Sequence, residues 1–192
     1  FNFKSNGKKR AHSSDDLNDT WKSNGKYYHF DNRGVMVYEW YQIATQNGDQ
    51  ASASNWAYFN SPEDGARAVK GWFKVVAPQL DDSTDTFATK NSRNEDEKWY
   101  YSDGKDEGLV TGEIKKIKGK YYAFAPDNGV DGGRMLSGLC ALRMDGSTIV
   151  EVLKDEMDAD DLDDFMDGTG DFAGMTYASE AQGNNNVYLY YF

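Results

Sequence analysis

The strongest constraint on this chain is a short unit that keeps returning. An aromatic cluster is followed at once by a turn rich in Asp, Asn, Ser and Gly. It reads GKYYHFDNRG at 25–34, NWAYFNSPEDG at 55–65, EKWYYSDGKDEG at 97–108 and GKYYAFAPDNG at 119–129. FNFKSNG at the start and VYLYYF at the end look like halves of the same unit. Each cluster reads as the second strand of a hairpin. Asn24-Gly25 is the strongest short-range hairpin signal in the chain, and Lys118-Gly119 stands in the same place in a later copy. A half-buried strand alternates apolar and polar side chains. These strands do not, because Tyr27, Tyr28 and Phe30 fall on both faces. A lone hairpin is marginal in water, and one with two aromatic faces has nothing to cover either. Piling successive hairpins along an axis supplies that cover, as in repeat proteins stabilised by their neighbours.

Composition agrees with that reading. Aromatic residues make up 15% of the 192 residues, while Leu, Ile and Val are sparse. The core is therefore expected to be mostly Tyr, Trp and Phe rather than the usual aliphatics. The spacing of the units is uneven. Residues 80–97 read as a polar, exposed loop. Residues 144–186 fall outside the repeats and are acidic and partly helical. Val150, Leu153 and Met157, then Leu162, Phe165 and Met166, recur at helical intervals, and Asp158 or Asp160 is placed to cap a second short helix. The expected architecture is mainly β: a solenoid of stacked β-hairpin repeats with a short helical insertion near the C-terminus. Hairpin repeats occupy 1–143, the insertion 144–186, and 187–192 open a further repeat. Both ends look cut, as in a piece of a longer chain.

Several function classes find no support. The net charge is −11, and the basic residues are scattered, so recognition of nucleic acid through phosphates is not expected. No apolar run approaches the ~20 residues of a membrane span. Cys140 is alone, lacks an evident base and reads as a buried, inert thiol. His12 and His29 have no second ligand at a useful spacing for zinc. The acidic run at 155–171 lacks the spacing of an EF-hand loop, and DNGVDGG at 127–133 lacks the terminal Glu. No cofactor or metal is expected. Asp and Glu are abundant, but nothing marks two of them as a glycosidase pair, and no nucleophile elbow or phosphate loop is present.

The unit GKYYHFDNRGVMVYEW resembles the cell-wall-binding, choline-binding-type repeat of Gram-positive surface proteins, phage lysins and glucan-binding proteins. Gly25, Lys26, Tyr27, Tyr28, Phe30, Asp31, Gly34, Met36 and Trp40 carry the likeness in one copy. Gly119, Lys120, Tyr121, Tyr122, Phe124, Gly133, Met135, Ser137 and Gly138 carry it in another. The resemblance implies a β-solenoid outside the cell, attached to a bacterial envelope polymer. In choline-binding members, consecutive hairpins form an aromatic cage for a quaternary ammonium, a cation drawn to ring faces. Carried over, the candidate groups are Trp21 with Tyr27 and Met36 nearby, Trp40 with Trp56, and Trp72 with Trp99. At the next two positions Glu113 and Leu139 stand where the family has Trp, so few working choline sites are expected. Flat sugar-stacking surfaces, as in glucan-binding members, are the other implied use.

These readings lead to a non-catalytic binding module. It would attach a secreted protein to a bacterial cell wall polymer, choline-bearing teichoic acid or glucan, with an extracellular, wall-associated location. The alternative is a degenerate repeat array serving as a structural spacer or protein-interaction surface.

Overall fold

The computed structural model describes residues 4–8, 21–31, 33–42, 53–61, 63, 71–78, 96–103, 108–127, 131–173 and 186–192. The structure is mainly β, with one short α-helix near the C-terminus among the described residues. Two compact units divide the chain, Phe1–Val110 and Thr111–Phe192.

The first unit is a series of two-stranded antiparallel ribbons. Strand β1 (Trp21–Ser23) pairs with β2 (Lys26–Tyr28), β3 (Glu39–Gln42) with β4 (Trp56–Phe59), and β5 (Gly71–Val76) with β6 (Glu97–Ser102). Asn24 and Gly25 turn the first ribbon with φ of 49° and 80°. Positive φ at both central residues is the type I′ geometry that matches strand twist, which is why Asn-Gly serves there. The loop after β2 is held by Asp31, whose Oδ1 accepts from the Arg33 and Val35 amides at 2.9 and 2.7 Å. It closes with a bridge between Phe30 and Met36.

The two aromatic faces of these ribbons find cover in sequence order. On one face of β3–β4, Tyr41 and Phe59 meet His29 of the preceding ribbon, with ring centroids 5.1 and 6.4 Å away. On the opposite face, Trp40 and Tyr58 meet Phe73 and Tyr100 of the next. A two-faced strand is thus buried by neighbours on both sides, as the missing alternation requires. The expected aromatic core is present here: Trp56, Phe59 and Tyr100 are among its buried residues.

The second unit is built differently. Strands β7 (Ile114–Ile117), β8 (Lys120–Phe124) and β9 (Met135–Leu136) form one three-stranded sheet. Strands β10 (Leu139–Asp145), β11 (Thr148–Lys154) and β12 (Val187–Tyr191) form another, with β10 central. Helix α1 (Ala159–Asp167) follows β11. Asp158 caps it, accepting from the Asp161 amide while the Asp161 carboxylate accepts from the Asp158 amide, a reciprocal capping box.

Two expectations are corrected in this unit. Residues 150–157 do not form a first helix, because Thr148–Lys154 is a strand paired with β10. The Gly146-Ser147 turn and the β-branched Thr148, Ile149, Val150 and Val152 favour a pleated strand over the helical spacing of three apolar residues. Nor is the core mostly aromatic. One cluster is Ala123, Ala125, Leu136, Cys140, Leu142, Met144 and Ile149, and the other joins Ala141, Met157 and Val187 to Phe165 and Phe172. A third strand and a helix give aliphatic side chains enough area to bury, so rings are not the only source of core. The loop expected at 80–97 lies outside the described residues but for Asp96 and Glu97, and Glu97 opens β6.

Candidate functional site

Directly opposed residues in an antiparallel pair share a face, so register decides which aromatics meet. In β3–β4, Trp40 faces Tyr58 and Gln42 faces Trp56. Trp40, Tyr58 and Trp56 therefore share one face, and the predicted Trp40–Trp56 pair is brought together. Trp40 is edge-on to Tyr58 at 5.4 Å and to Tyr100 at 5.1 Å. Its Nε1 donates to the Val76 carbonyl at 2.8 Å, fixing the ring. Trp56 is buried in the same cluster as Tyr100.

A cleft of about 610 Å³ opens along this face, lined by Tyr38, Glu39, Trp40, Trp56, Tyr58 and Glu97 together with the Val75–Pro78 run. Its charged lining residues are both carboxylates. Burial and then the Glu39 charge raise the Tyr58 phenol above its ordinary value, so this ring stays neutral at physiological pH. A cleft of rings and carboxylates is attractive to a cation and repels an anion.

In β5–β6, Trp72 faces Tyr101 and Lys74 faces Trp99. Trp72 and Trp99 meet at 6.2 Å with an interplanar angle of 87°. Tyr101 lies 5.0 Å from Trp72 at 62°. The predicted Trp72–Trp99 pair is therefore also brought together, with Trp99 43% exposed. Rings at right angles make a concave corner rather than a flat platform.

The first predicted group is arranged otherwise. Trp21 faces Tyr28, whereas Tyr27 faces Lys22. Trp21 and Tyr27 thus sit on opposite faces of their ribbon, and Lys22 Nζ lies 5.2 Å from the Tyr27 ring centroid. Met36 is engaged in the bridge to Phe30. Sequence reasoning missed Tyr58, Tyr101, Glu39 and Glu97. Tyr58 and Tyr101 could have been found by stepping two residues along the strand from Trp56 and Trp99, the period that keeps a side chain on one face.

The remaining chemistry-bearing groups serve the fold. Burial pushes the Cys140 thiol up to about 11, and its Sγ lies 3.4 Å from the Ser137 carbonyl oxygen, so the thiolate is disfavoured at neutral pH. In the acidic run, Asp155 holds Arg134 through two hydrogen bonds of 2.5 and 2.9 Å. Asp161 and Asp171 each lie 3.0 Å from Lys154 Nζ. Those hydrogen bonds raise the Lys154 ammonium, tying the insertion back to β11. No group of three or more His, Cys, Asp or Glu among the described residues could hold a metal ion. No described helix is long and apolar enough to cross a membrane.

The solved structures that this chain resembles include choline-binding-type proteins. They include choline binding protein F from Streptococcus pneumoniae, at 19% identity over 77% of this chain and 37% of that one, with a TM-score of 0.42. The modular autolysin LytC from Streptococcus pneumoniae matches at 18% identity over 78% of this chain and 30% of that one, with a TM-score of 0.35. An alternansucrase in complex with isomaltononaose matches at 16% identity, 77% and 10% coverage and a TM-score of 0.35. The chain spans well under half the length of each of these proteins. No protein-family model and no curated protein sequence matches it.

Proposed function

We propose that this chain is a non-catalytic binding module that attaches a larger secreted protein to a bacterial cell wall polymer. Its ligand is the quaternary ammonium of choline carried on that polymer, and its working location is the cell exterior. The carrying observation is the corner formed by Trp72, Trp99 and Tyr101 on one ribbon face. A rounded cation that cannot donate hydrogen bonds gains from several ring faces at once, about 0.5–2 kcal/mol from each. A pyranose ring stacks best on one flat face, which perpendicular indoles do not offer, so choline is favoured over glucan. The acidic cleft at Trp40, Trp56 and Tyr58 is a second place for the same cation. Sequential face-to-face packing of three ribbons in the first unit supports the solenoid that the repeat resemblance implies.

The test is a titration of tryptophan emission with choline chloride, then with teichoic-acid-bearing walls and with α-glucan. Every tryptophan of the chain, from Trp21 to Trp99, belongs to the first unit, so emission reports the proposed sites directly. Choline should change emission saturably, and Trp72→Ala should remove most of that change. Emission indifferent to choline and to every polymer would overturn the proposal and leave the array a structural spacer.

A further inference from the structure

Four ribbons share one register, and they differ in a single slot. The residue opposite the first aromatic of the second strand is Lys22 facing Tyr27, Gln42 facing Trp56, Lys74 facing Trp99 and Lys116 facing Tyr121. In the two ribbons closed by tight turns, the lysine lies over the ring it faces. Lys22 Nζ is 5.2 Å from the Tyr27 centroid, and Lys116 Nζ is 5.3 Å from that of Tyr121. Both distances fall within reach of a cation–π contact. In β5–β6 the lysine in that slot behaves differently. Lys74 Nζ is instead 3.8 Å from Glu97 Oε2; the contrast lies in where the ammonium sits and not in exposure, since Trp99 is 43% and Tyr121 62% exposed.

Turn length explains the difference. Glu97 stands two residues before Trp99, on the same face of the strand. The matching positions before Tyr27 and Tyr121 are Gly25 and Gly119, both with positive φ of 80° and 87° in the turns themselves. The positive φ of a two-residue turn favours glycine there over any residue with a carboxylate. Only a ribbon whose arms run past that point can place an acid beside the lysine.

We propose that Glu97 is a positioning residue that keeps the Trp99 ring open to an external quaternary ammonium by drawing Lys74 away, whereas Lys22 and Lys116 are built-in cations that close Tyr27 and Tyr121 to it. The ligand class rests on the function proposed above; the lysine geometry does not. The cross-strand lysine thus selects which aromatic faces of a degenerate array accept a ligand. A ring that already holds an ammonium repels a second cation.

Two measurements on the intact chain decide the matter. The first is the proton shift of the lysine ε-methylenes by NMR, with no ligand present. Ring currents should move those of Lys22 and Lys116 upfield while Lys74 stays at its ordinary position. Glu97→Gln should then move Lys74 upfield as well. A Lys74 shift equal to the other two in the unaltered chain, or one unmoved by Glu97→Gln, would overturn the proposal even if choline bound tightly. The second is choline chloride affinity at the Trp72–Trp99 corner. Glu97→Gln should weaken it about two- to five-fold, the size of one exposed cation–π contact, and adding Lys74→Gln should restore it. Weakening that Lys74→Gln does not relieve would show that Glu97 acts only as a negative charge, against the proposal. Failure of the unaltered chain to bind choline would remove the assigned ligand and count against the function, while the shifts still judge the lysines.

Discussion

The two units solve the same burial problem with different materials. In the first, ribbons of two strands carry rings on both faces, and β3–β4 is covered by the ribbon before it and the one after. In the second, β10 is flanked by β11 and β12. One face of that sheet packs Cys140, Leu142, Met144 and Ile149, and the other meets Phe165 and Phe172 from the helical insertion. A ribbon has little area, so large rings must supply the buried surface per residue. A wider sheet with a helix reaches comparable burial with aliphatics. The difference carries a functional consequence. Aromatic seams that hold ribbons together also leave ring faces at their margins, as at Trp99, while the exposed rings of the second unit, Tyr121, Tyr188 and Tyr191, stand outside its aliphatic clusters.

The comparison is broken most forcefully at Phe165. Its side chain is fully buried, edge-on to Phe172 at 5.1 Å, and packs with Ala141, Met157 and Val187. If helix α1 is the cover that lets this unit do without ribbon stacking, Phe165→Ala should cost about 3–5 kcal/mol. Amide exchange at Ala141 and Leu142 should rise in step. Protection unchanged at those amides would mean the sheet is stable without its helix.

A smaller effect is expected from giving the first unit the second unit's material. Trp40→Leu keeps an apolar side chain but removes the edge-on pairs with Tyr58 and Tyr100 and the 2.8 Å bond to Val76. A lost hydrogen bond and lost ring geometry together predict a loss of roughly 2–3 kcal/mol. Urea unfolding followed by the remaining tryptophans measures it. A change within experimental error would show that the seam needs bulk alone, and the contrast between the units would lose its basis.

How much of this was legible beforehand follows the same division. The turn residues and two-faced clusters announce ribbons in the first unit; Asn24-Gly25 turns the first of them, and Trp40 with Trp56 and Trp72 with Trp99 share a face of theirs. Asp158 was visible as a cap because an acidic residue precedes an apolar helical pattern. The strand Thr148–Lys154 is hidden in the sequence because Val150, Leu153 and Met157 fit a helical period, and periodicity alone does not separate short strands from helices. Its paired-strand context, with Leu142 opposite Val152 and Met144 opposite Ile149, depends on partners that spacing does not reveal. The separation of Trp21 from Tyr27 has a similar origin. A cage inferred from motif order ignores strand register, and a shift of one residue moves a side chain to the other face.

The smallest expected effect concerns the loops that follow the second strand in each unit, where the two copies of the motif part. After Phe30 comes Asp31, and after Phe124 comes Ala125. Asp31 holds its own turn, with Oδ1 on two amides and Oδ2 accepting from Arg33 Nε at 3.1 Å. Burial pulls its carboxyl upward, but the bonds from Val35 and Arg33 outweigh it and set the group below its ordinary value of 3.8. A carboxylate lowered in the folded state contributes stability above its unfolded value, and that contribution is lost as pH falls through the folded one. In the second unit the matching loop is tied instead by Arg134, through Asp131 at 3.5 Å and through Asp155 just after β11. Asp31→Asn preserves the Oδ1 acceptor and removes the charge. It should lower the first unit's stability slightly at pH 7 while flattening its decline below about pH 4, read by tryptophan emission during acid titration. A decline as steep in Asp31→Asn as in the unaltered chain would place the acid sensitivity elsewhere and remove this turn from the contrast.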